Sequence, residues 1–285
     1  YLSTSPVRDN ARIAFLSQTF ANPFAGLNPI YGKTITRANL LKPYPEFGNV
    51  QELEPVGYSW YHALQSRIER RFSKGVTLQI SYTWSKAMEA TQFLNDGDPV
   101  PYRTIAAIDR THRLVSSGIW ELPFGRGKML GANWNRITNF IAGGWQLNGL
   151  MQRQSGAPLG FGNYIFNGDL HSVPLSDSER NVDQWLNRNA GFELNSANQL
   201  ASNLRTFPLR FSGIRGPGQA RWDFSMIKNF PIKERLRMQF RAECFNAFNH
   251  PNLGDPSTNP TATSFGVISS QGPPRSWQFA LKLTF

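Results

Sequence analysis

From Val76 to Ser85 the chain alternates between two chemistries: Val76, Leu78, Ile80, Tyr82 and Trp84 on one parity, Thr77, Gln79, Ser81, Thr83 and Ser85 on the other. Successive side chains of a strand point to opposite faces, so this segment predicts a strand with one apolar and one polar face. The residues before it behave alike, with Leu64, Ile68 and Phe72 set against Gln65, Arg67, Glu69 and Arg71. Ser73-Lys74-Gly75 between the two is short enough for a tight hairpin whose glycine takes a positive φ.

The pattern recurs. Trp222, Phe224, Met226 and Phe230 alternate with Asp223, Ser225 and Asn229, and Pro231-Ile232-Lys233-Glu234 reads as a turn. Leu236, Met238, Phe240, Ala242 and Cys244 then alternate with Arg235, Arg237, Gln239, Arg241 and Glu243. At the end, Trp277, Phe279, Leu281, Leu283 and Phe285 alternate with Ser276, Gln278, Ala280, Lys282 and Thr284. Weaker strands are predicted over 112–122, 137–153 and 265–269, and 176–189 is the best candidate for a short loop helix. Long segments, about 1–57, 87–110, 155–221 and 249–264, alternate with the short or moderate connections 73–75, 122–135 and 231–234. The long ones are rich in Gly, Pro, Asn, Asp and Ser.

An apolar strand face packs a core in a soluble protein and meets lipid in a membrane barrel, where the polar face lines a wet lumen. Periodicity does not separate the two. Three features favour the barrel. Short and long connections segregate, as in outer-membrane barrels. Aromatics gather near strand ends on the apolar faces (Tyr82, Trp84, Trp120, Trp222, Trp277), as interfacial girdles do. The final strand alternates up to Phe285. A mean hydropathy of -0.40, with no uninterrupted apolar run of about 18 residues, excludes a membrane-spanning helix, but a barrel averages its two faces and reads as soluble. The predicted fold is therefore all-β, an antiparallel up-and-down transmembrane β-barrel, of which residues 1–285 supply about 8–10 strands.

Few residues suggest chemistry. One Cys excludes a disulfide framework and a Cys-based zinc site. His62, His112, His171 and His250 lack metal-ligand spacing, Asp109-Arg110-Thr111-His112-Arg113 reads as a polar stretch leading into a strand, and Asn95-Asp96-Gly97-Asp98-Pro99 lacks the distal Glu of a calcium loop. No catalytic residue, metal site or cofactor is predicted. The net charge of +11 permits a nucleic-acid partner, but the basic residues are scattered; their densest cluster, Arg67, Arg70, Arg71 and Lys74, lies along one strand, and none is expected. Arg67, Glu69, Arg71, Arg237, Arg241 and Glu243 share polar faces and are expected to line the lumen. Cys244 lies on the apolar parity and reads as a small hydrophobe.

Several runs resemble the Oar-like TonB-dependent outer-membrane receptors: Tyr61-His62-Ala63-Leu64-Gln65 through Arg70-Arg71-Phe72-Ser73-Lys74-Gly75, Ser81-Tyr82-Thr83-Trp84-Ser85-Lys86, and Glu121-Leu122-Pro123-Phe124-Gly125-Arg126-Gly127-Lys128. Gly143-Gly144-Trp145-Gln146, Arg215-Gly216-Pro217-Gly218, Phe245-Asn246-Ala247-Phe248-Asn249-His250-Pro251 and the closing Phe279 to Phe285 follow in order along the chain. The resemblance implies a C-terminal part of a larger barrel, with a plug domain that this chain lacks. It also implies the outer membrane of a Gram-negative bacterium, the TonB complex as energy source acting through that plug, and an unknown large or scarce ligand, imported or, as an alternative, exported. Phe285 would be the terminal aromatic read by the barrel assembly machinery. In the largest loop Phe161, Tyr164, Trp185 and Phe192 are candidate ligand contacts, since recognition tends to sit on loops of a rigid scaffold. Alternatives are a small passive porin-like or structural and adhesive barrel, and a soluble all-β binding module.

Overall fold

In a computed structural model, residues 1–231 and 236–285 are described. The amino-terminal segment holds a helix, α1 (Asn10–Ser17), two short strands, β1 (Thr19–Ala21) and β2 (Thr34–Thr36), paired with each other, and a single helical turn, α2 (Arg37–Leu40). Asp9 starts α1 by accepting from the Arg12 amide, an N-cap with no counterpart in the strand pattern.

The main sheet follows: β3 (Tyr58–Ser73), β4 (Val76–Ala90), β5 (Thr104–Ile105), β6 (His112–Glu121), β7 (Trp145–Gln154), β10 (Gln219–Pro231), β11 (Arg237–Phe245) and β12 (Ser276–Thr284). The remaining pair, β8 (Pro158–Gly160) and β9 (Arg210–Arg215), forms a separate two-stranded sheet in the connection between β7 and β10. Spatial order in the large sheet is β12-β11-β10-β7-β6-β4-β3, with β5 added beside β4, and every pair is antiparallel. It is a seven-stranded up-and-down meander with the short β5 added, open in this chain, with β3 and β12 as its edges.

At one end β3 and β4 are joined by a tight turn. Lys74 (φ 51) and Gly75 (φ 81) both lie left-handed between β3 and β4, the signature of a two-residue type I′ turn. The predicted turn after Pro231 lies, from Ile232 on, outside the described residues. At the other end the connections 91–111, 155–218 and 246–275 emerge together with the amino-terminal segment; because β7 starts only at Trp145, the connection 122–144 at the first end is as long as 91–111, so the segregation holds for the two longest loops, 155–218 and 246–275.

Three local expectations are corrected. Residues 136–142 form a helix, α3 (Arg136–Ala142), and β7 starts only at Trp145. Asn135 caps the helix by accepting from the Thr138 amide, and Ile137, Phe140 and Ile141 carry the helical i, i+3, i+4 spacing. Residues 176–189 form no helix: Ser176 and Glu179 close a single turn, with the Ser176 hydroxyl donating to Glu179 at 2.6 Å. Residues 265–269 form no strand, because Phe265 is drawn into a loop core described below. β4 also runs four residues into the expected 87–110 loop, to Ala90, where it meets Tyr58 at the start of β3.

Candidate functional site

Register makes the two faces continuous across the sheet. Leu64 sits opposite Trp84, Ile80 opposite Ile68, Trp120 opposite both Val76 and Leu147, and Met226 opposite Leu147 and Ala242. Phe240 and Leu281, then Met238 and Leu283, complete the row. Most of these side chains have no protein neighbour above them: Leu64, Ile68, Trp84, Trp277, Phe279 and Leu281 are each more than half exposed. An apolar surface this extensive is far beyond the few hundred Å² that a soluble monomer shows.

Aromatics mark its margins. Toward the long loops lie Tyr82, Trp84, Trp222 and Trp277; toward the compact turns lie Trp120, Trp145 and Phe230. From Val76 to Trp84 a strand advances ~27 Å along its length and, at a tilt of ~40°, ~21 Å across a bilayer, close to the ~25 Å band of outer-membrane barrels. All five aromatics expected at the interface therefore stand on the apolar face, Trp120 at one margin and the other four at the opposite one.

The opposite face is polar and cross-linked along and between strands. Arg67 donates to Glu69 (2.9 Å) and Gln79 (3.0 Å), Asn148 to Ser225 (3.1 Å), Gln154 to Gln219 (3.1 Å), and Gln239 to Asn229 (2.9 Å). Arg71 approaches Glu69 (3.5 Å) and Arg241 approaches Glu243 (3.6 Å). Arg237 stands on the same parity, opposite Thr284. Five of the six expected lumen residues, Arg67, Glu69, Arg71, Arg241 and Glu243, are thus tied into pairs, and such exposed pairs are worth ~0–1 kcal/mol each. A cleft of 280 Å³ lies between Arg241, Glu243, Gln278 and Lys282. Amid these polar residues, Leu150 faces Ser117 and lies diagonal to Val115 and Ile119, an apolar island the alternation did not reveal. Leu150 and Ile119 are 46% and 41% exposed.

The long loops form one joined assembly rather than separate flexible arms. Its core contains Leu159, Phe161, Val173, Leu186, Phe192, Phe207, Ile214 and Phe265, with Tyr164, Phe166 and Trp185 packed against it. Phe161 stacks on Phe192 at 5.4 Å, and Phe265 meets Phe192 edge-on at 5.3 Å. Of the four candidate ligand contacts, Phe161 and Phe192 are therefore consumed by core packing, and Trp185 donates its indole N–H to the Arg215 carbonyl at 2.8 Å. These contacts hold the loop assembly together.

Charged anchors fasten this assembly to the strands. Arg210 pairs with Glu89 (2.7 Å), and Arg215 pairs with Asp109 (2.7 Å), whose other oxygen accepts from the Ala87 amide (2.6 Å). Arg205 donates to the Phe161, Phe207 and Pro208 carbonyls, and its own amide donates to Asn95; burial pushes its guanidinium pKa below the usual value. The amino-terminal segment joins through Arg8 to the Gln199 carbonyl (2.8 Å). The Asp98 carboxylate is occupied by the Asn95 amide (2.9 Å). Among the described residues no group of three or more His, Cys, Asp or Glu converges. Beside the assembly, a groove of 650 Å³ runs past Tyr58, Asp98, Tyr102 and Arg103, where the Arg103 guanidinium lies 5.8 and 5.9 Å from the stacked rings of Tyr58 and Trp60.

The apolar parity also carries Arg70, Lys86 and Arg153, all exposed, but one charged residue on it is buried. Lys228 stands between Trp145 and Phe240 in register, yet is almost fully buried. Its ammonium donates to the Ile141 carbonyl (3.0 Å) and the Gly143 carbonyl (2.5 Å) and lies 5.1 Å from the rings of Trp145 and Phe230. Its signal was a single lysine at an apolar parity position, between Met226 and Phe230.

A meander with an apolar face of bilayer height, a polar opposite face and its two longest loops at one end is the wall of a membrane-spanning β-barrel. Comparison with protein families identifies which kind: residues 11–278 match the outer membrane beta barrel domain, and the chain belongs to that family. It is an outer-membrane protein of a Gram-negative bacterium. Comparisons with curated proteins and with solved structures find no match.

Proposed function

We propose that this chain forms part of the barrel of a TonB-dependent receptor, which moves a large or scarce ligand across the outer membrane and performs no catalysis. The apolar island of Val115, Ile119 and Leu150 on the lumen face carries the reading. A water-filled pore has no use for large exposed apolar side chains on its lining, whereas a plug domain seated in the lumen would cover them. The exposed β3 and β12 edges support it, because a barrel abolishes edges and both await a strand. The joined loop assembly gives a rigid outer surface for ligand recognition, the TonB complex would act through the plug, and the barrel assembly machinery would read the last strand, with Phe285 continuing its apolar parity. The test is the intact mass and amino-terminal sequence of the native polypeptide from the outer-membrane fraction, together with its conductance in a planar bilayer. A chain far heavier than 32.2 kDa, with a plug and negligible conductance, is expected. A native chain of about this size that conducts as an open pore would replace the reading with a passive porin.

A further inference from the structure

The connection between β6 and β7, residues 122–144, carries α3, and α3 is built inside out. Its polar Asn139 faces the protein, accepting from the Arg126 amide at 2.8 Å. Its apolar stripe faces away: Ile137, Phe140 and Ile141 are 73%, 52% and 64% exposed, and Met129 in the same connection is 81% exposed. In water such a helix would be turned the other way, with its stripe against the protein.

Its position explains the inversion. The Phe140 ring lies 4.9 Å from Phe230, Trp145 donates to the Ile141 carbonyl at 3.0 Å, and Lys228 holds the carbonyls at the end of the helix. Phe230, Trp145 and Lys228 all belong to the apolar parity of the sheet, so α3 lies against the lipid-facing surface at its compact-turn margin and not in the lumen. Lys228 satisfies carbonyls that would otherwise be left at the lipid boundary, where water is scarce. Exposed Arg126 and Arg136 flank the stripe, as cations flank the apolar side of helices that lie in a membrane surface.

We propose that α3 is an interfacial foot of the barrel, embedded through Ile137, Phe140 and Ile141 in the phospholipid leaflet on the compact-turn side, which is the periplasmic one in outer-membrane barrels. The occupant of the stripe is the bilayer, because the stripe is continuous with the lipid-facing surface of the sheet. The inference needs only the outer-membrane placement and stands apart from the transport reading.

The test uses the full-length protein with Cys244→Ser, carrying Ile137→Cys, Ile141→Cys or, as a water-facing control, Asn133→Cys. Each is labelled with an environment-sensitive fluorophore in phosphatidylethanolamine–phosphatidylglycerol vesicles, and only heat-modifiable, folded protein is analysed. Bromination near the headgroup end of the acyl chains is expected to quench the labels at Ile137→Cys and Ile141→Cys at least two-fold more than at Asn133→Cys, with aqueous iodide giving the reverse order. Iodide quenching equal at all three sites, without a bromolipid effect, would place α3 in water. Shielding of the two stripe labels from both quenchers would mean that protein covers them. Either result overturns the proposal.

Discussion

The buried pair between Asp109 and Arg215 is the most consequential link between the loop assembly and the barrel wall. Asp109 is 1% exposed, with one oxygen 2.7 Å from the Arg215 guanidinium and the other 2.6 Å from the Ala87 amide. Asp109→Ala leaves that amide without an acceptor, which costs ~1–3 kcal/mol, and leaves the guanidinium without its counter-charge; breaking a buried pair by removing one partner costs ~3–5 kcal/mol in all. The lower end applies here. The Arg215 side chain keeps 20% of its surface exposed and retains the Gly156 and Ser212 carbonyls as acceptors. A loss of ~3 kcal/mol raises the locally open population by roughly 150-fold, at ~1.4 kcal/mol per factor of ten. Asp109→Asn, which keeps an oxygen for the Ala87 amide, should cost about half as much in kcal/mol. Hydrogen exchange on the folded protein in micelles reads this directly at Ala87 and Gly216, with the central amides of β10 as an internal reference. Exchange at Ala87 within two-fold of wild type in Asp109→Ala would refute the assignment of Asp109 as an anchor.

Other consequences are local. Gly75→Val puts a β-branched side chain at φ +81, with its Cβ 3.1 Å from the Glu121 carbonyl oxygen; a cost of ~1–3 kcal/mol is expected, seen as a lower melting temperature of the heat-modifiable band. Phe265→Ala empties a fully buried site of the loop core and should cost ~3–5 kcal/mol there, making the loops protease-sensitive while the strands stay resistant. Glu179 has its pKa held below 4.5, first by the Ser176 hydroxyl and then by the Ser176 amide, both donating to its carboxylate. A depressed carboxylate contributes stability above its unfolded pKa and loses it on protonation, so protection of this turn should be constant from neutral pH down to 4.5 and fall as the pH drops below that. Glu179→Gln should remove that pH dependence, as judged by exchange at the Arg180 amide.

How much could be read in advance depends on where the determining contacts lie. β4 was legible because each apolar residue from Val76 to Trp84 is followed by a polar one, and the register confirms every face assignment along it. The 137–153 segment misled because Ile137, Phe140 and Ile141 carry a short helical stripe that runs through Gly143-Gly144 into a true strand; Asn135, the cap, was the available cue. The loop core was illegible for a different reason. Phe161, Phe192 and Phe265 meet across long stretches of irregular chain, and no periodicity records contacts of that kind. Lys228 was hidden because its partners are the Ile141 and Gly143 carbonyls at the end of α3, a helix that alternation alone does not announce.

The central claim is that the apolar face meets lipid and the polar face lines the lumen. Single cysteines in the Cys244→Ser full-length protein test it most directly, at Ile80 and Leu281 on one face and at Gln79 and Gln278 on the other, in native outer-membrane vesicles. The account predicts that labels at Ile80 and Leu281 are quenched by brominated lipid and that these thiols resist a water-soluble maleimide, while Gln79→Cys and Gln278→Cys show no lipid quenching. Lipid quenching at Gln79→Cys and Gln278→Cys, or free maleimide reaction at Ile80→Cys and Leu281→Cys, would contradict it.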